Sequence, residues 1–171
     1  SRGLGDVYKR QEFVSPRRWV PYRTEWSIYD DTHLIAGQVD CIFQDSDTGE
    51  LHMVDWKRSA KSLSPKDGER FGRWGAPPCH FLVDNAFSHY AAQQNLYATI
   101  LRDHYGLCVT SMWLAQLHPN EQSYLVHRVP NFIQVARTML VLCDARAPPE
   151  GDASSSSRVV AAPLANKGQT H

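Results

Sequence analysis

Polar and apolar positions alternate along residues 22–29, where aromatic and β-branched types predominate, and that period of two predicts a strand. Asp30-Asp31-Thr32 then reads as a turn. Residues 33–44 form a second, mostly apolar strand. Asp45-Ser46-Asp47-Thr48-Gly49 is a hairpin turn, and residues 50–57 run back as a third strand. Three strands joined by short turns predict an antiparallel meander. Residues 58–85 make a polar connection with Gly and Pro, long enough to lie over a site. A helix is predicted over 88–105, with Ser88 as candidate N-cap and Gly106 as its stop. A strand over 107–117, a turn at Pro119-Asn120 and a strand over 122–129 follow. The last element is a helix over 131–143, with Asn131 as cap and Phe132, Val135, Met139 and Leu142 at helical spacing. The order β-β-β-α-β-β-α predicts an α/β (α+β) layer domain, a mixed sheet flanked by helices.

The two ends differ from this core. Residues 1–11, SRGLGDVYKRQ, resemble the in-frame translation of a sequencing adapter, and such scars stay outside fold reasoning. The expected domain is therefore residues 12–146, without its native N-terminus and with its first helix truncated. Residues 147–171 are rich in Pro, Ser and Ala and lack aromatics, so they are expected to be a disordered tail.

The 171 residues suffice for one domain with a core. With 18 basic and 18 acidic residues there is no basic excess, so any binding to a polyanion must come from a local patch. Cys41, Cys79, Cys108 and Cys143 lie far apart with no C-x-x-C pair. That pattern predicts reduced thiols in an intracellular protein, and neither a zinc site nor an iron–sulfur cluster. His80, His89, His104 and His118 likewise lack metal-ligand spacing. No window is long and apolar enough for a membrane span, and no membrane partner is expected.

The third strand carries the candidate chemistry. In Met53-Val54-Asp55-Trp56-Lys57, alternation puts Asp55 and Lys57 on one face and Val54 and Trp56 on the other. Burying either charge is costly without a partner, and a divalent cation beside Lys57 would supply one. The hairpin turn folds Asp40, at the end of Gly37-Gln38-Val39-Asp40, back beside Asp55. Two hard carboxylates completed by water suit Mg²⁺ or Mn²⁺, with the Trp56 carbonyl as a further ligand. Such a site fits phosphodiester hydrolysis, with Lys57 orienting or helping to deprotonate the attacking water, or offsetting charge. The other reading of D-x-K is a solvated strand end with a surface Asp–Lys pair.

The run IAGQVDCIFQDSDTGELHMVDWKRS resembles the PD-(D/E)XK nuclease core, with its G-x-x-D strand, hairpin and D-x-K strand. Gln93-Gln94-Asn95-Leu96-Tyr97 is similar to the Q-x-x-x-Y motif of the RecB-type branch. The stretch HYAAQQNLYATILRDHYG is also similar to nuclease-like proteins of large DNA viruses and phages. The resemblance spans about residues 22–129. It implies a restriction-endonuclease-like fold and a Mg²⁺-dependent hydrolase, an exonuclease acting on DNA rather than RNA in repair, recombination or replication. It implies that Gln93 and Tyr97 border the site and hold substrate, and that Glu25 matches an acidic position ahead of the G-x-x-D strand. The basic run Lys57, Arg58, Lys61, Lys66, Arg70 and Arg73 could contact phosphates, and Phe71 and Trp74 could stack on bases; a solvated loop is the plain alternative. The rival function is a non-catalytic nucleic-acid-binding or structural module on the same scaffold.

Overall fold

In the computed structural model, which describes residues 2–118, 120 and 123–144, the alternating segments become strands β1 (Trp19–Asp30), β2 (Ile35–Asp45) and β3 (Leu51–Arg58). They are followed by β4 (Val109–Leu117) and β5 (Tyr124–Val129). All five lie in one mixed sheet in the order β1-β2-β3-β4-β5. The pairs β1–β2, β2–β3 and β4–β5 are antiparallel, and β3–β4 is parallel. A parallel pair needs a long crossover, supplied here by helix α2 (Ala86–Tyr105). Helix α3 (Ile133–Asp144) packs against α2. The predicted meander and the mixed sheet flanked by helices are both present. The predicted tail, together with Pro119 and Gln122, lies outside the described residues.

Four local differences from the sequence reading have physical reasons. Residues 2–14 carry no predicted element, yet they form helix α1 (Arg2–Val14). Its anchor is Phe13, 0% exposed, which packs edge-on against Trp19, Trp56 and Tyr124. Burying that ring contributes on the order of 2–3 kcal/mol. Second, β2 starts later than expected. Leu34 has φ 54, and the His33 N–H is drawn back to the Asp30 carboxylate at 3.0 Å, so both residues belong to the turn. Third, α2 begins before Ser88: the Asn85 side chain is the N-cap and accepts the Ser88 N–H at 2.8 Å. Fourth, α3 is rotated from the predicted stripe. Ala136 and Leu140 are its buried residues; Ile133 and the expected Phe132 are partly buried against the core, whereas Leu142 is 39% exposed.

The sheet separates two apolar layers. Ile28, Val39, Ile42, Leu51, Met53 and Leu114 pack with Ala91, Tyr97, Ala98 and Leu101 of α2. Cys41, Phe43, Val54 and Ala115 pack on the other face with Phe13 of α1. Along β3 the odd positions Leu51 and Met53 face α2, and the even positions Val54 and Trp56 face α1. The connection from β3 to α2 is fastened to this frame. Leu63 and Val83 are buried, Trp74 bridges to Val83, and the buried Gln116 amide donates to the carbonyls of Ser59 and Lys61.

Candidate functional site

The β2–β3 ladder runs from Gln44↔Leu51 to Cys41↔Val54 and ends there. Beyond that level the Trp56 N–H has no strand partner in β2. It donates instead to Asp40 Oδ2 at 3.0 Å, so a carboxylate closes the gap where the two strands part. β1 is irregular at the same level. Glu25, opposite Asp40, has φ 49, a left-handed conformation that costs a non-glycine residue roughly 1 kcal/mol. Val39 and Cys41 belong to opposite apolar layers although they are two positions apart, so simple alternation fails at Asp40. The hairpin thus brings Asp40 beside Asp55 through a local twist as well as by folding back.

Asp55 shares the α2 face with Lys57, as alternation predicted. It is 9% exposed. Its Oδ1 accepts a hydrogen bond from Lys57 Nζ at 2.8 Å, whereas its Oδ2 is buried with no hydrogen-bond partner. Burial pushes the Asp55 carboxyl up to about 6; the Asp40 charge adds to the rise and Lys57 opposes it. For Lys57, burial works against the charge, but the Asp55 carboxylate outweighs it and the ammonium pKa is raised. The Lys57 ammonium also lies 4.8 Å from the centre of the Tyr90 ring.

Helix α2 lays Gln93 and Tyr97 over this face. Gln93 Nε2 donates to Tyr97 Oη at 2.9 Å. Burial raises the Tyr97 pKa, and the backbone N–H of Gln38 reaches the same hydroxyl. The fields of Asp55 and Lys57 act on Tyr97 as well, which puts the ring next to the pair. Gly37 explains the close fit: a Cβ there would lie 2.3 Å from the Tyr97 ring. The glycine of G-x-x-D therefore makes room for the tyrosine of Q-x-x-x-Y. The neighbours in the Gln-Gln-Asn run have structural partners. Gln94 donates to the Trp113 carbonyl, and Asn95 joins the Ala91 and Pro130 carbonyls to the Phe132 N–H.

Other predicted residues sit elsewhere. Arg58 lies on the α1 side, where its half-exposed side chain pairs through Nε with Asp6 at 3.4 Å. Glu25 is exposed, and its carboxylate accepts from Gln38 Nε2 at 3.0 Å. With Asp40, Arg10 and Trp56 it lines a cavity of about 280 Å³ on the α1 side. Lys61, Lys66, Arg70 and Arg73 are exposed on the β3–α2 connection, Arg73 within 3.7 Å of Asp84. Phe71 and Trp74 beside them are 67% and 51% exposed. Tyr90 was missed by the sequence reading. Its signal was its position at i, i+3, i+7 with Gln93 and Tyr97 on one helix face.

The donor set fits a hard cation. Asp55 carries the orphaned Oδ2 and feels the charge of the neighbouring Asp40, which itself takes the Trp56 N–H. Among the described residues, the group of three or more His, Cys, Asp or Glu side chains close enough to share an ion lies elsewhere, at Asp30, Asp31 and His104. Cys41, Cys79 and Cys108 are free thiols. No described helix is long and apolar enough to cross a membrane.

No protein-family model and no curated protein matches the sequence. Among solved structures, the chain is similar to a provisionally named exonuclease from Eubacterium rectale, at 18% identity and a TM-score of 0.46. The match covers 82% of this chain and 48% of the other, so the chain spans about half the length of that protein.

Proposed function

We propose that this chain carries a metal-dependent nuclease site of the PD-(D/E)XK type that hydrolyses phosphodiester bonds in DNA. The observation that carries the reading is the buried, unpartnered Oδ2 of Asp55, set beside Asp40 and Lys57. A buried carboxylate oxygen without a donor costs about 1–3 kcal/mol or more, and a cation at that point removes the cost. Asp40 and Asp55 would hold Mg²⁺ or Mn²⁺, with the Trp56 carbonyl as a further ligand. The ion would polarise a phosphoryl oxygen and lower the pKa of a coordinated water.

The chain's own groups have separable roles. Lys57 stays protonated, because its raised pKa keeps the ammonium charged at neutral pH. It therefore acts as a cation that orients the attacking water and offsets charge in the transition state, not as the base. Tyr97 Oη accepts from Gln93, which leaves its own O–H free to donate to a phosphate oxygen. Gln93 acts through Tyr97 as a positioning residue. Lys61, Lys66 and Arg70 on the β3–α2 connection are exposed and available to the phosphate backbone.

The test is hydrolysis of end-labelled linear DNA with Mg²⁺, alongside an RNA of the same sequence, for the wild type and the Asp55→Ala and Lys57→Ala variants. Cleavage by the wild type and its loss in both variants is the expected result. Cleavage that survives in both variants refutes the site. DNA binding without Mg²⁺-dependent cleavage in the wild type gives the chain to the rival, a non-catalytic binding module.

A further inference from the structure

We propose that Asp30, Asp31 and His104 form a second divalent-cation site, of mixed oxygen and nitrogen donors, that joins the β1–β2 turn to the end of α2. One ligand atom from each residue lies within 4.8 Å of the other two. His104 Nε2 is 3.2 Å from Asp30 Oδ1, and His104 Nδ1 is 3.8 Å from Asp31 Oδ1, so the imidazole stands between two carboxylates. Asp30 is not a chance surface acid. Its side chain is 1% exposed, and its other oxygen is held by a hydrogen bond with His33 Nδ1 at 2.6 Å, which fixes the carboxylate in place.

Charge balance points to a cation. Asp30 and Asp31 bring two carboxylates to one spot, the first with its side chain only 1% exposed, and a divalent ion would balance both. The imidazoles select the metal: nitrogen donors with carboxylates suit Zn²⁺, whereas Mg²⁺ prefers oxygen and water. The frame around the cluster is set by other contacts. Tyr105, next to His104, accepts the Tyr29 N–H at 3.1 Å and packs edge-on against Trp26 at 5.1 Å. A cation here would pin the last turn of α2 to the sheet at the helix end remote from Tyr90 and Gln93. The site is separate from Asp55: Asp30 lies five residues along β1 from Glu25, roughly 17 Å at the usual strand rise. Spacing in the sequence could not reveal it, because Asp30 and His104 are 74 positions apart.

The experiment titrates Zn²⁺ into the full chain, followed by calorimetry, by native mass spectrometry and by the melting temperature. Wild type, His104→Ala, Asp31→Ala and Asp55→Asn are compared. The expected result is Zn²⁺ uptake in the wild type that depends on Asp31 and His104, with a rise of several degrees in Tm. Binding should weaken at least about tenfold in Asp31→Ala and disappear in His104→Ala. Asp31 is 80% exposed, so that variant keeps the fold and decides the matter even if His104→Ala does not fold. Asp55→Asn should keep the Zn²⁺ uptake that Asp31→Ala weakens, which separates this site from the nuclease reading. Absence of Zn²⁺ binding by the wild type, or wild-type affinity in Asp31→Ala, overturns the proposal.

Discussion

Asp30 and Asp55 are both aspartates taken almost wholly out of water, on strands of the same sheet, yet their acidities move in opposite directions. Burial tends to raise the carboxyl of Asp30, but the N–H and ring of His33 and the field of His104 outweigh it and hold the pKa low. Burial raises Asp55 to about 6, with Asp40 pushing the same way and Lys57 alone opposing. The difference lies in the donors. Both oxygens of Asp30 face N–H groups or imidazole nitrogen, whereas one oxygen of Asp55 meets no donor. A buried carboxylate whose two oxygens both meet donors keeps its charge at little cost; one with an oxygen that lacks a donor is drawn toward a proton or a cation.

The comparison can be broken most sharply by activity. Asp55→Ala and Lys57→Ala should each lower Mg²⁺-dependent DNA hydrolysis by at least about 10³-fold, roughly 4 kcal/mol of barrier. Asp30→Ala should instead leave the chemistry intact in the folded fraction and cost about 2–4 kcal/mol of stability, read from urea melts. In EDTA, Asp55→Asn should do the reverse and stabilise the chain by about 1–3 kcal/mol, since it removes a charge that burial disfavours. If both aspartate variants destabilise equally, the contrast drawn here is wrong.

pH should separate the two carboxylates further. Asp55 binds its proton more tightly when folded, so in EDTA its contribution to stability falls as pH rises from about 4 through about 6, then stays level. Asp30 binds its proton less tightly when folded, so its contribution is complete above its ordinary value of 3.8 and is lost only as pH drops below it. Melts of the wild type and Asp55→Asn between pH 4 and 7 should therefore diverge, by about 1–3 kcal/mol at the upper end. Saturating Mg²⁺ should erase that divergence. Smaller still, Tyr97→Phe should change stability by under about 1 kcal/mol and lower kcat by about tenfold, since it removes one hydroxyl.

Much of the fold was legible because β1, β2, β3 and α2 declare themselves locally. Alternation, the Asp45–Gly49 turn and the Gly106 stop each act within a few residues. Alternation alone placed Asp55 and Lys57 on one face. What was hidden depended on contacts distant in the chain. The pairing of Arg58 turned on Asp6, and the stripe of α3 turned on how it seats against α2. The start of α2 was misread because Ser88 has the right chemistry for a cap, while Asn85 has the right position. The Asp30 cluster was invisible because its histidines come from the turn and from the far end of α2. The twist at Glu25 could not be read either, since glutamate is not a residue type marked for a positive φ.

The contact between Gly37 and Tyr97 ties two stretches of chain together over evolutionary time. With 2.3 Å between a would-be Cβ and the ring, a larger residue at the first position displaces the second. Gly37→Ala alone should cost about 1–3 kcal/mol by overpacking. Descendants that exchange this glycine are expected to exchange the tyrosine as well, so the two positions should vary as a pair although sixty residues separate them.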